Sequence, residues 1–378
     1  MALERLFQLM AEKHASDLFL SAGSPITVKI NGVCVPINQE RMQQQAVIAL
    51  LTERLSDAQF RELERTRELN LGLPVQGVGS FRLSAFLQRG SVSAVIRYIP
   101  SEIPRLEELM LPDVLKDLAM ERRGLVLVVG AAGSGKSTTI ASMLDHRNEL
   151  ATGHILTFED PIEFLFRNKK SIVNQREIGA DTVSLDQALR NAMRQAPDVL
   201  FIGEIRDRDT MTAALAYAMS GHLVMATLHA TNSGHALNRV ISFYPPETRF
   251  ALYQDLATAV RAIVSQRLVR SRQGRRVPTV EVLMNAGHMH DLIARGDVPA
   301  IKEAMEQSLD PDSRSFEQSL YELLQKDTIT RDDALAAADS QNNLLWLINN
   351  AGKPVVKPGS EPKPSPDSAS FTEFTLNI

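Results

Sequence analysis

The chain has 378 residues, 44% of them apolar and 23% charged, and a formal net charge of −4. That composition is ordinary for a globular protein long enough to bury two cores, and the acidic balance excludes a general attraction to nucleic acid or anionic membrane. One cysteine, Cys34, excludes a disulfide framework and any multi-cysteine metal site.

In chain order, the opening MALERLFQLMAEKHASD predicts a helix over residues 3–13. Its scattered charges break the apolar core that a signal peptide needs. No apolar run is long enough to cross a bilayer, so the expectation is a cytoplasmic protein without direct membrane insertion. The runs SDLFLSAG and ITVKINGVCVPI read as strands divided by Gly23-Ser24-Pro25, with Asn31-Gly32 as a hairpin signal. GSFRLSAFLQRG and SVSAVIRYIP read as two more, meeting at Gly90. Residues 1–100 therefore predict a small α+β domain, and the proline-marked 101–112 a linker.

From there to 285 the pattern is strand–loop–helix alternation, the mark of a parallel α/β sheet. Strands are predicted at 125–129, 155–158, 198–204 and 222–230, and helices at 137–148 and 210–220, the latter stopped by Gly221. A further helix opens at Ser184-x-x-Gln187, read as a capping box, with Leu185, Ala188, Leu189, Ala192 and Met193 as its buried face. Residues 286–351 read as amphipathic helices. The Pro/Ser/Lys stretch after 352 is expected to be disordered up to the apolar end FTEFTLNI, closing a tail over 352–378.

GAAGSGKST (130–138) follows a strand and opens a helix, matching G-x-x-x-x-G-K-[ST] in full. Gly130, Gly133, Ser134, Gly135 and Thr138 belong to a loop whose backbone N–H groups turn inward around phosphate. Lys136 is expected to reach the β- and γ-phosphates of ATP, and the Ser137 hydroxyl to ligate Mg²⁺. Glu204, ending the apolar strand VLFIGE, is the expected carboxylate on the metal side. An acidic cluster, Glu159, Asp160 and Glu163, ends the strand that follows the phosphate-loop helix and so opens onto the same crevice. One of these carboxylates can take the proton of the attacking water, and spacing alone does not choose between Glu159 and Glu163. Glu163, on a loop carried by a rigid sheet, is in the commoner position for a catalytic side chain. Asp160 reads as a holder of that loop.

GAAGSGKST, TFEDPIEF, FIGEIRD and GHLVMATLHATNS together resemble the Walker A, Asp-box, Walker B and His-box motifs of the ATPases of type II secretion and type IV pili. The resemblance runs from about residue 15 to 345. It implies a PAS-like N-terminal domain, a RecA-like ATPase domain and a hexameric ring. It also implies Glu163 as catalytic base, Glu204 as the Walker B carboxylate, and His222 and His229 as the His-box pair. The chain lacks both the long extra N-terminal domain and the four-cysteine zinc motif of assembly members, which points to the PilT/PilU retraction type. AGHMHDLIARGD (286–297) replaces the A-I-R-N-L-I-R motif of the principal retraction motor, and SFEQSLYELL and DDALAAADSQNNL look closer to the accessory, PilU-like branch. Implied partners are the principal retraction ATPase and an inner-membrane platform protein.

The resemblance also sets Arg82 and Arg97 against nucleotide phosphates. Arg190 and Arg194, on the polar side of the helix after Ser184, are candidates for the γ-phosphate or a neighbouring subunit. His229, at the C-terminal end of its strand, is the better γ-phosphate sensor. A separation of seven residues along one strand puts His222 on the opposite face, unsuited to a shared metal. The arginine-rich RLVRSRQGRR (267–276) is read as a basic interface or nucleotide-base loop, because aromatic stacking residues are missing. The rival readings are a RecA-like nucleic-acid translocase and a nucleotide-binding regulatory subunit with little turnover of its own.

Overall fold

The computed structural model describes residues 2–350 except 31, 76, 100, 101, 307 and 309. Asn31 of the hairpin signal and the tail 352–378 lie outside the described residues.

Helix α1 (Ala2–Glu12) buries Leu3, Phe7 and Met10, spaced to share one helical face. It is followed by β1 (Asp17–Ser21), β2 (Thr27–Ile30), β3 (Val33–Pro36), α2 (Gln44–Thr52), α3 (Asp57–Thr66), β4 (Glu68–Val75), β5 (Gly79–Gln88) and β6 (Ser91–Ile99). The six strands form one antiparallel sheet in the order β3-β2-β1-β6-β5-β4. Alternate residues such as Phe81, Leu83 and Ala85 face inward onto the helices, as a sheet with one wet face requires. Among the described residues, no hydrogen bond or ion pair joins this unit to residues 102–350. The segment expected as a linker is docked onto the second unit. Leu106 is buried beside Leu115 and Leu118, and the Pro104 carbonyl accepts from Ser142 Oγ at 2.6 Å.

The second unit comprises α4 (Val114–Met120), β7 (Gly124–Val129), α5 (Lys136–Leu150), β8 (Gly153–Glu159), β9 (Ser171–Glu177), α6 (Leu185–Ala192), β10 (Val199–Ile202), α7 (Arg208–Met219), β11 (Leu223–Leu228), α8 (Ser233–Ser242), α9 (Arg249–Ala259), β12 (Val260–Arg270) and β13 (Arg276–Met284). Helices α10 (His288–Arg295), α11 (Val298–Glu306), α12 (Phe316–Gln325), α13 (Arg331–Ala337) and α14 (Gln341–Asn349) complete it. The sheet order is β13-β12-β7-β11-β10-β8-β9, parallel except for the β12–β13 pair. On β7, Leu125, Leu127 and Val129 face one helical layer while Val126 and Val128 face the other. An all-apolar strand is what burial on both faces demands. Because the central strands are parallel, the residues after β7, β8, β10 and β11 all emerge at one edge of the sheet, and that edge is the candidate site. Strand β12 carries one irregularity: it pairs with β7 through Val260–Leu125 and then Ala262–Val126, leaving Arg261 as an extra residue.

The architecture is mixed α/β, and several local expectations are refined. Strand β9 was not expected. Ser184 caps α6 by accepting from Gln187 N, but Met193 leaves the buried face and is 51% exposed, because the helix tightens into a 3₁₀ turn after Ala192. Both histidines of the 222–230 segment lie outside the strand itself, one beyond each end of β11.

Candidate active site

A cavity of about 1110 Å³ opens at this edge, with Lys136, Ser137, Glu163, Glu204 and His229 among its lining residues. The phosphate loop joins β7 to α5. Gly135, the N-cap of α5, has φ 92°, and a Cβ there would lie 2.7 Å from Gln266 Nε2. A Cβ on Gly130 would meet Ser134 Oγ at 2.4 Å and the Gln266 carbonyl at 2.5 Å. Glycine is thus required where β12 braces the loop from below, and Gln266 continues the brace by accepting from Thr139 Oγ1 at 2.7 Å. Ser134 Oγ is buried without a hydrogen-bond partner, so the loop retains an unsatisfied polar group of the kind a phosphate oxygen engages. Lys136 Nζ donates to the carbonyls of Gly130 and Ala131 at 2.8 and 2.9 Å. Burial lowers the pKa of this ammonium, and the charges of Glu204 and Glu163 oppose that shift. Both carboxylates therefore act on the same lysine.

Glu204 follows β10 and is gripped from two sides. Arg206 Nε donates to its Oε2 at 2.6 Å, and His229 Nε2 stands 3.1 Å from its Oε1. Arg206 also reaches Asp160 at 3.6 Å, tying the segment after β10 to the one after β8. The donor set fits a hard divalent cation: a hydroxyl at Ser137 and a carboxylate at Glu204 open onto one cavity. No group of three potential His, Cys, Asp or Glu ligands occurs among the described residues. Two protein ligands suit magnesium, which keeps waters and takes substrate phosphate oxygens.

The two candidate bases occupy different environments. Glu159 is buried and accepts from Thr157 Oγ1 at 2.6 Å and Gln175 Nε2 at 3.1 Å. Desolvation pushes its pKa up to about 7, against hydrogen bonds from Thr157, Gln175 and the Glu163 backbone. Glu163 is exposed on the loop beyond Pro161 and lines the cavity. Strand β9 holds that loop: Glu177 accepts from Ile162 N at 3.1 Å, and Gln175 accepts from Phe166 N at 2.9 Å while donating to Phe164 O at 2.8 Å.

Glu159 makes stability depend on pH. Its folded-state pKa is raised from 4.5 to about 7, so between these values the native chain binds the extra proton. Stability then falls as pH rises through that window. Glu159→Gln should flatten this dependence in thermal melts from pH 5 to 8. An unchanged slope would show that Glu159 does not titrate there.

Known proteins share both the sequence and the fold. The family described as Type II/IV secretion system protein matches residues 2–321. The chain belongs to that family. Its relatives include the type IV pilus ATPase PilU of Pseudomonas aeruginosa, 44% identical over 92% of this chain and 91% of the relative. The type IV pilus retraction ATPase PilT of the same organism is 37% identical over 91% of this chain and all of the relative. The crystal structure of the pilus retraction motor PilT with bound ADP superposes with a TM-score of 0.85 at 38% identity, covering 91% of this chain and 98% of that one. Family membership and the complete phosphate loop make this chain an ATPase.

Within this secretion-family ATPase the remaining sequence candidates separate. Arg190 lines the cavity, 77% exposed and paired with Asp186 at 3.0 Å, whereas Arg194 is exposed outside the cavity lining. Arg82 and Arg97 sit directly opposite one another on β5 and β6, away from this cavity, and Arg97 holds Asp17 at 2.9 Å. His222 is engaged locally, with Nδ1 3.2 Å from Tyr217 O. Segment 267–276 is strand β12, a turn and the start of β13 rather than one basic loop. Only its last arginine, Arg276, lines the cavity. Sequence reasoning missed Arg206, Gln175 and Gln266. Arg206 stood inside FIGEIRD and was open to notice as a cation two residues after the carboxylate.

Proposed function

We propose that this chain is a Mg²⁺-dependent motor ATPase that powers type IV pilus retraction, and hence twitching motility, as an accessory subunit to a principal retraction ATPase. In this reading the first unit is PAS-like, the second RecA-like, and six copies form a cytoplasmic ring at the inner-membrane face, against the pilus platform protein. The observation that supports it best is the convergence of Lys136, Glu163 and Glu204 on one cavity, in a chain similar to PilU and PilT over nearly its whole length.

Glu163 accepts the proton of the attacking water, the backbone of residues 130–136 cradles the phosphates, and Lys136 offsets their charge. Ser137 and Glu204 would hold Mg²⁺, which when bound would neutralise charge developing on the phosphate oxygens. His229 bears on Glu204 and reports the γ-phosphate. Arg82 and Arg97 do not line their own chain's cavity, so in this reading their role at a nucleotide belongs to a subunit interface, as does that of the exposed Arg190 and Arg194. The nucleic-acid translocase is disfavoured by the net charge of −4 and the 5% aromatic content of the chain.

Twitching tests the reading. Deleting the gene should reduce motility in a strain with the principal retraction ATPase, and this chain alone should not restore motility where that ATPase is missing. Restoration by this chain alone overturns the accessory role. Unchanged motility together with DNA-stimulated ATP turnover overturns the motor reading.

A further inference from the structure

The loop that carries His229 is held by the far C-terminal helices as well as by the sheet. Arg267, on β12, donates from one guanidinium nitrogen to Thr231 O at 2.9 Å and to Asp339 Oδ1, and from the other to Ala337 O at 2.8 Å. Its guanidinium carbon lies 3.9 Å from the centroid of the Phe316 ring. The second oxygen of Asp339 accepts from Asn232 Nδ2 at 2.8 Å, and Asn232 in turn caps α8 by accepting from His235 N at 2.8 Å. Asp339 sits in the turn between α13 and α14, and the next residue, Ser340, donates its backbone N–H to Glu317 of α12 at 2.7 Å. The arginine and the aspartate are both largely shielded, with side chains 25% and 18% exposed. Ion pairing in that setting exceeds that of a surface pair, and a planar fork with several acceptors fixes geometry as well as charge.

Three acceptors on one guanidinium join two stretches otherwise separate in the chain: the His229 loop, and the end of α13 with the turn that follows it. On the other side of the loop, Ser233 N and Oγ donate to the buried Glu281 of β13, each at 2.7 Å. Residues 231–233 are therefore pinned by both the sheet and the C-terminal helices. His229, two residues upstream, is the group that meets Glu204 at 3.1 Å.

We infer that Arg267 and Asp339 form a latch that positions His229 against Glu204, so that displacement of helices α12–α14 changes turnover at the ATP site. Neither residue lines the cavity; both are positioning residues that act through the 229–232 loop. The inference rests on the ATPase reading of the site, and extends it by giving the C-terminal helices a direct connection to the Walker B carboxylate. It also gives Arg267 an internal task in place of the basic interface expected from the arginine-rich segment.

Asp339→Asn removes the charge and retains a hydrogen-bonding side chain toward Asn232, and Arg267→Lys retains the charge while losing the fork. In the full-length protein each should lower kcat by about 3- to 30-fold, the range of coupling through such networks, with the KM for ATP nearly unchanged and the chain still folded at the assay temperature, although its melting temperature falls. Made in a His229→Gln background, the same substitutions should have little further effect. The His229 ring signal, assigned in ¹³C-histidine NMR spectra by its loss in His229→Gln, should shift in both latch variants even if His229→Gln is too slow to assay. An equal fold-loss with and without His229, or an unmoved His229 signal, overturns the latch. A wild-type chain without ATP turnover would instead fail the underlying ATPase reading, whereas normal wild-type turnover that neither latch variant alters fails the latch alone.

Discussion

Lys136→Ala is expected to abolish ATP hydrolysis. The ammonium is buried against the Gly130 and Ala131 carbonyls, and it is the cation on which the Glu163 and Glu204 charges act. Alanine leaves both carboxylates facing incoming phosphate without a compensating charge. Removing a single preorganised donor of this kind costs about 10²–10³-fold in rate, and a charged one no less. The fold should survive, because burial already disfavours the charged lysine. Phosphate release measured beside a melting curve is the test: turnover within a few-fold of wild type, in a folded variant, would remove the phosphate-loop assignment.

Glu163→Gln keeps the size and polarity of the side chain and takes away its ability to accept a proton. ATP should still bind, with turnover falling by roughly 10²–10⁴-fold, the range for loss of general-base catalysis. Glu159→Gln is the comparator. Glu159 is buried and committed to Thr157 and Gln175, so its amide should leave turnover far closer to wild type. The reverse ranking would move the base to Glu159 and make Glu163 a loop residue. Single-turnover assays with fluorescent nucleotide binding separate the two outcomes.

What was legible in the sequence depended on how local the determining physics is. The phosphate loop and the strand before it lie within a few residues of one another, and glycine, lysine and hydroxyl spacing states the chemistry directly. Glu204 was readable for the same reason, as the first charge after a buried strand. Strand β9 was not. SIVNQRE is polar and lies at the sheet edge, where one side of the ladder is free and alternation is weak. Gln175 and Glu177 gain their meaning only when that edge is laid beside the Asp-box loop. Gln266 and Arg267 were illegible for a different reason. Their partners, Thr139 and Asp339, lie far away in the chain, and no periodicity encodes a tertiary contact. The density of arginines from 267 to 276 suggested a patch, but a strand and a turn send neighbouring side chains in different directions.

Gln266 and Arg267 are consecutive on β12, so strand geometry points one toward the phosphate loop and the other toward the C-terminal helices. Which residue takes which direction is decided a few residues earlier, where Arg261 is the unmatched member of the pairing between β12 and β7. That extra residue is a phase setter. Without it, a strand keeping its ladder bonds would turn every later side chain over. A guanidinium would then press into the floor under Gly135, and the apolar Leu268 would take the place that faces Asp339. Two functions are thus written on opposite sides of a single ribbon, and their separation depends on parity: β12 tolerates changes of side chain far better than a change of length.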